Sequence, residues 1–217
     1  MNNSICFIIT SVIEPWTALP FNYGTIRSAF SSEERFSQTC KTIASIHKYA
    51  PNADIWLIEG GKSTYLSQIE DIKCKVIYVG KWHLFRRAIS SNSKALGEAA
   101  MMVYILPYIL CSKYKYFFKI SGRYYLNNHF DFGKWDFRSI CGKDVYGDRH
   151  EISTRLIGIP KSKMWLFYKA LARRFWKLRG SVYESYLLKG ISAQNVHWIE
   201  EIGVEGEIGV NKIHIAE

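Results

Sequence analysis

Residues 115–126 read Lys115-Tyr116-Phe117-Phe118-Lys119-Ile120-Ser121-Gly122-Arg123-Tyr124-Tyr125-Leu126. The aromatic run Tyr116–Ile120 has strand character, closes in a small-residue turn, and then presents an arginine and two tyrosines. Three earlier runs read the same way: Ile5–Ile13, Asp54–Ile58 and Lys75–Val79. Helical periodicities lie between them, at about Ser32–Tyr49, Ser63–Ile69 and Lys94–Ile109. Ser31-x-x-Glu34 can form a capping box for the first helix, Pro51 ends it, and Phe36, Cys40, Ile43, Ala44 and Ile46 make one apolar face. Strands alternating with helices predict an α/β fold of Rossmann-like character, with a mostly parallel central sheet flanked by helices. In such sheets ligands sit at the carboxyl ends of strands, so Ser121–Tyr124 is expected to line a site.

After Ile120 the pattern turns to short aromatic segments, a strand near Thr154–Ile159, helices at about Lys161–Leu178 and Val182–Leu188, and an alternating tail, Glu207–Ile215. No repeat, low-complexity tract or linker interrupts the 217 residues, and one domain is the economical expectation. The 48% hydrophobic and 22% charged composition excludes a disordered chain. Aromatic residues at 15% must find places in the core or in a cleft.

The net charge of +10 points to an anionic partner without naming it. Seven positive charges and no negative one fall in Lys161–Arg179. On a helix, Trp165, Tyr168, Leu171, Ala172, Phe175 and Trp176 share a face, with Lys169, Arg173, Arg174 and Lys177 largely opposite. That pattern suits docking on anionic lipid headgroups or a phosphorylated acceptor, and equally a solvated face on a packed helix. Basic residues outside the segment look dispersed, which argues against a nucleic-acid groove.

Several functions are disfavoured. The N-terminus lacks a signal peptide's basic region and cleavage site, and no apolar stretch reaches the ~20 residues of a membrane span; the longest, Ala99–Cys111, contains Pro107 and reads as a core helix with a kink. The chain is therefore expected to be cytoplasmic. Five scattered cysteines suggest neither a disulfide framework nor structural zinc. Gly60-Gly61-Lys62-Ser63-Thr64 resembles the end of a phosphate loop, but Trp56 stands where the first glycine should be, so a turn after a strand is the better reading. No G-x-G-x-x-G follows the first strand. Ser91-x-x-Lys94 is a chance-level match without its partner motifs.

The chain resembles the GT-A glycosyltransferases, nucleotide-sugar-dependent enzymes with one α/β domain. The similarity is greatest to small enzymes of bacterial surface-polysaccharide clusters and large DNA viruses (chlorella-virus-like) that carry a Lys-Ile-Ser-Gly-Arg-Tyr signature. It rests on Thr10-Ser11-Val12-Ile13, Arg27, Ser32-Glu33-Glu34-Arg35-Phe36 with Gln38-Thr39, Pro51-Asn52-Ala53, and Ile58-Glu59-Gly60. Gly97-Glu98-Ala99, the signature at Lys119–Tyr124 and Gly203-Val204-Glu205-Gly206 complete it. The resemblance implies a nucleotide-sugar-binding half at 1–126 and an acceptor-side half at 127–217. It implies sugar transfer, hexosyl or pentosyl, to a glycan or lipid-linked acceptor, in surface polysaccharide or glycoprotein glycan synthesis.

Within it, Thr10, Ser11 and Glu59 would hold the nucleoside. Lys94, Gly97 and Glu98 would open a helix facing the diphosphate and sugar, and Ser121, Gly122 and Tyr124 would line the donor site. One departure stands out. Many GT-A enzymes place a metal-binding Asp-x-Asp at the end of this strand; here Ile120-Ser121-Gly122 stands there and no Asp-x-Asp occurs in the chain. Transfer without a metal held on Asp-x-Asp is therefore expected, with manganese or magnesium the alternative, and Arg123, Lys119, Arg27 and Lys94 are the candidates to neutralise the departing diphosphate. An inverting transfer also needs a base on the acceptor side. Glu184 is the first candidate and Glu201 the second, with Glu200 and His197 behind them; a retaining transfer needs none. Two other readings remain: a non-catalytic α/β module binding anionic surfaces or nucleic acid, and a nucleotidyltransferase. Against the latter, Glu14-Pro15-Trp16-Thr17 stands where its basic glycine-rich loop should follow the first strand.

Overall fold

A computed structural model describes residues 4–20, 27–70, 72–172, 187, 190–209 and 211–217. Strands β1 (Ile5–Ser11), β2 (Asp54–Glu59), β3 (Lys75–Tyr78) and β4 (Tyr116–Ser121) lie parallel in the order β3-β2-β1-β4. Next to β4, β7 (Leu156–Pro160) runs antiparallel. Beyond it, β6 (Ile140–Gly142) and β8 (Val196–Trp198) run with β4 again. Just past β4 the chain enters a second, antiparallel sheet of β5 (Tyr124–Leu126), β9 (Val204–Glu207) and β10 (His214–Ala216). The expected mostly parallel α/β sheet is present, with the smaller mixed region at its side.

The first strands read as unbroken apolar runs because both their faces are buried. Alternate residues sort cleanly. Phe7, Ile9, Ile55, Leu57, Phe118 and Ile120 join Ile43 and Ile46 of α1 (Ser32–Tyr49). Cys6, Ile8, Trp56, Ile58 and Phe117 join the opposite layer, formed by α3 (His83–Ile89), α4 (Lys94–Leu110) and α5 (Met164–Ala172). A short α2 (Leu66–Glu70) leads into β3. Much of the aromatic content is accounted for in the core around β4. Phe118 meets Trp135 at 4.8 Å and Phe130 at 5.8 Å between ring centroids, edge to face, and Phe130 meets Phe132 at 5.0 Å.

The capping box forms at the predicted place. Ser31 Oγ accepts from Glu34 N at 3.2 Å, and Glu34 Oε2 accepts from Ser31 N at 2.7 Å. The buried face of that helix differs from expectation. Ala44 is exposed and Phe36 and Cys40 only half-buried, whereas Arg35, Thr39, Thr42 and Ser45 are buried. The helix turns a polar stripe inward because the end of β4 and β5 offer it backbone acceptors: Thr42 Oγ1 donates to Tyr124 O at 2.7 Å.

Other corrections concern boundaries. β1 ends at Ser11, since the chain turns so that Ile13 N can donate to Glu59 Oε1 at 3.1 Å. Helix α4 continues through Pro107, placed where its last turn ends at Leu110. Helix α3 and the three-residue strands β5, β6 and β8 were not anticipated. In the basic segment, Met164, Phe167, Tyr168 and Leu171 form the buried face of α5; Trp165 is 66% exposed and shares the outer side with Lys169. Residues 173–186 lie outside the described residues, and with them the rest of that segment and most of the helix expected at Val182–Leu188. No helix among the described residues is long and apolar enough to cross a membrane.

Candidate active site

The register of the sheet makes the site. Thr10 lies opposite Ser121 and Ser11 opposite Glu59, so β1, β2 and β4 stop together at their carboxyl ends. Beyond them opens a cleft with about 700 Å³ of free space including its mouth. Of the predicted residues it brings together Thr10, Ser11, Arg27, Lys94, Gly97, Glu98, Ser121, Gly122 and Arg123. Arg35 and Thr39, from the inward stripe of α1, also line it.

Strand alternation puts Lys119 on the α4 side of β4, in the middle of an apolar layer. It is fully buried, and its ammonium is ion-paired with the carboxylate of Glu98, one turn into α4. Lys119 Nζ also donates to Thr154 O at 2.7 Å and to Ser121 Oγ at 3.2 Å. Burial pushes the Glu98 carboxyl upward, but Lys119, then Lys94, with Arg123 a smaller contributor, outweigh it and hold the carboxyl below its usual range. Lys119 thus forms the floor of the cleft instead of reaching into it.

Arg27 is also held internally. Its guanidinium donates to Ile89 O at 2.5 Å, Ser91 O at 2.9 Å and Leu19 O at 3.3 Å, tying its own segment to the turn between α3 and α4. Arg35 donates to Val12 O at 2.5 Å and through Nε to Ser28 Oγ at 3.1 Å. Burial, then the charges of Arg123 and Arg27, pull Arg35 down to about 10. Arg123 is half-buried beside the turn after β9; a Cβ placed on Gly209 would lie 2.1 Å from its Nη1. Lys94 is the first residue of α4, whose N-cap Ser93 accepts from Leu96 N at 3.2 Å. Three guanidinium groups, an ammonium and a helix N-terminus converge on one cleft, whose single described carboxylate is paired with Lys119. Such a site favours an anion.

Glycines make the approach close. A Cβ on Gly122 would meet Thr39 Oγ1 at 3.2 Å, and one on Gly97 would meet Ile89 Cα at 3.2 Å. Gly122 N donates to Thr10 O at 2.9 Å, and Ser11 Oγ lies 3.3 Å from Thr39 Oγ1. The turn is thereby fixed against β1 and α1.

Other predicted residues lie elsewhere. Glu59 is fully buried outside the cleft lining, its Oε1 accepting from Gly61 N at 2.6 Å and Ile13 N at 3.1 Å. Burial raises its carboxyl above the ordinary range against those bonds. It braces the loops after β1 and β2. Tyr124 is a core residue of β5, with the Arg155 guanidinium 5.6 Å from its ring centroid. Glu201 is exposed, 3.0 Å from Lys134 and 2.9 Å from His129 Nδ1, and the Lys134 ammonium holds its carboxyl below the usual range. Glu200 and His197 are exposed. Glu184 lies outside the described residues.

A GT-A fold commonly carries a divalent metal on Asp-x-Asp. The donor set among the described residues does not fit one here. β4 ends in Lys119-Ile120-Ser121, and no cluster of three His, Cys, Asp or Glu that could hold a metal occurs among the described residues. An ammonium buried against the cleft's carboxylate would also repel a second cation.

No protein-family model and no curated protein matches the sequence. Solved structures do match its fold. Over 92% of this chain it superposes on the glycosyltransferase GlyE of Streptococcus pneumoniae TIGR4, at TM-score 0.52 and 10% identity. Over 91% it matches a candidate nucleotide-diphospho-sugar transferase from Desulfovibrio desulfuricans G20, at TM-score 0.54 and 9% identity. Over 89% it matches an active-site mutant of LgtC, at TM-score 0.51 and 9% identity.

The chain has a GT-A-like fold. It spans 46% of the GlyE chain, 80% of the Desulfovibrio protein and 72% of LgtC. In this GT-A-like frame, the cleft stands at the carboxyl edge of the parallel strands, where the β4 turn carries arginine instead of paired aspartates.

Proposed function

We propose that this GT-A-like protein transfers a sugar from a nucleoside-diphosphate donor to a glycan or lipid-linked acceptor, with its own cations in the place of a metal. The observation that carries the reading is the convergence of Arg35, Arg123 and Lys94 on the cleft beyond β1 and β4. In this reading Thr10 and Ser11 hold the nucleoside. Arg123, Arg35 and Lys94 bind the diphosphate, and the N-terminus of α4 faces it. As the bond from sugar to phosphate breaks, negative charge grows on the leaving diphosphate. Fixed guanidinium groups in a partly dry cleft stabilise that charge without reorganising. Arg27 and Lys119 act one layer back, by holding the α3–α4 turn and Glu98.

Glu98 is poorly suited as the base, since Lys119 keeps it ionised and weakly basic. Glu201 is engaged by His129 and Lys134, so Glu184 is the proposed base if the transfer inverts. Residues 1–126 would supply the donor side and 127–217 the acceptor side, with the enzyme in the cytoplasm, working in surface polysaccharide or glycoprotein glycan synthesis. The basic segment 161–179 would bring it to anionic surfaces. The test is calorimetric titration with UDP, GDP and dTDP in the presence of a chelator, then hydrolysis of the matching nucleotide-sugar. Binding and turnover that survive chelation and fall with Arg123→Ala support the proposal; no binding to any nucleotide contradicts it.

A further inference from the structure

The helical layer opposite α1 presents a face that the transfer reaction does not use. Residues 72–115 and 161–172, which form β3, α3, α4 and α5 with their connections, contain ten Lys and Arg besides Lys94 of the cleft. They contain one carboxylate, Glu98, and it is buried. Large apolar groups nonetheless stand out from this layer: Leu84 of α3 is 75% exposed, Trp165 of α5 66% and Trp82 50%, with Tyr108 and Leu110 of α4 also exposed.

Trp82 and Tyr108 are joined by contact through Tyr104. Trp82 Nε1 donates to Tyr104 OH at 3.0 Å, the Tyr104 ring lies 6.0 Å from Tyr108, and Phe85 packs edge-on to Tyr104 at 5.1 Å. Ammonium groups ride on this ladder, Lys81 at 5.4 Å from the Trp82 ring and Lys75 at 5.6 Å from the Tyr108 ring. On α3, Leu84 and Arg87 are both exposed one turn apart; on α5, Trp165 and Lys169 are too. Apolar and aromatic side chains edged by cations, with no exposed carboxylate from these elements, match the boundary between acyl chains and anionic headgroups.

We infer that the outer face of α3, α4 and α5 docks this protein on an anionic lipid bilayer, with Trp82, Leu84 and Trp165 entering the headgroup boundary and Lys75, Lys81, Arg87 and Lys169 pairing with headgroup charge. A protein partner would need an acidic surface to match; a second copy of this face would repel the first. The inference deepens the anionic-surface reading of segment 161–179 and rests on it, and it stands or falls separately from the donor reading. Ile89 at the end of α3 and Lys94 at the start of α4 both line the cleft, so docking this layer holds the cleft beside the bilayer surface.

The experiment is sedimentation of the full chain with vesicles, either phosphatidylcholine alone or with about a third phosphatidylglycerol. Wild type is expected to pellet with the anionic vesicles, less so as salt rises, and to stay in solution with the neutral ones. Lys81→Glu with Arg87→Glu should weaken partition by tenfold or more, as should Leu84→Ser with Trp165→Ser. All four side chains are exposed, and unchanged melting temperature and nucleotide binding check that the variants fold. Absence of binding to anionic vesicles, equal binding to neutral ones, or variants that bind like wild type would overturn the inference. So would light scattering that finds a dimer broken by these substitutions.

Discussion

Lys119 and Glu98 form an ion pair closed off from solvent, one in β4 two residues before its end and the other in the second turn of α4. The pair locks the end of the strand that leads into the Arg123 turn to the start of the helix that carries Lys94. Removing one partner leaves an uncompensated buried charge. Lys119→Met is expected to lower unfolding stability by about 3–5 kcal/mol, measured by denaturant titration. The double variant Lys119→Met with Glu98→Gln should recover a large part of that loss, because no bare charge remains.

The same pair sets an acid response. The Glu98 carboxyl is held below its unfolded value, so its contribution is complete above the unfolded pKa of about 4.3 and is lost as pH falls through the lower folded value. Stability measured from pH 7 downward should therefore decline below about pH 4 more steeply in wild type than in Glu98→Gln. Equal slopes would show that the pair does not govern this region.

Arg123 should matter through its geometry as well as its charge. Arg123→Ala is expected to raise the Kd for a nucleoside diphosphate by tenfold or more, since a hydrogen bond to a charged group contributes about 1.5–3 kcal/mol. Arg123→Lys should recover little, because an ammonium cannot reproduce a forked contact to phosphate. Isothermal titration reads both.

Gly209 permits the arginine's position. A methyl group there would lie 2.1 Å from Arg123 Nη1, and the far end of a flexible side chain can move away at small cost. Gly209→Ala should therefore weaken nucleotide binding while lowering the melting temperature by only a few degrees. A large loss of stability with intact binding would contradict this.

Much of the frame was legible in the residues. The apolar runs of β1 to β4 and the capped start of α1 are local signals, and two-sided burial makes those of β1, β2 and β4 strong. Helix α3 escaped because it is only seven residues with two adjacent arginines, and β5, β6 and β8 are three-residue strands whose pairing is wholly non-local. In the cleft, the β4 turn and the start of α4 could be placed from strand-end logic. Arg35 and Thr39 could not, because apolar periodicity looks for the wrong residues on that helix; their spacing of four residues, with Thr42 three further on, is the signal that marks the polar face. Its place in the signature reads Lys119 as a phosphate contact, but a lysine inside an aromatic strand points first to a buried carboxylate, and Glu98 is that residue.

In the proposed reaction, arginine and lysine do the work of a metal at this cleft. The most direct test is calorimetric titration of the matching nucleoside diphosphate into wild type and Arg123→Ala, each with chelator and with excess manganese. Wild-type binding should be unchanged by chelator or manganese and weakened by tenfold or more in Arg123→Ala. Binding that appears only with manganese, or that is indifferent to Arg123, would contradict it.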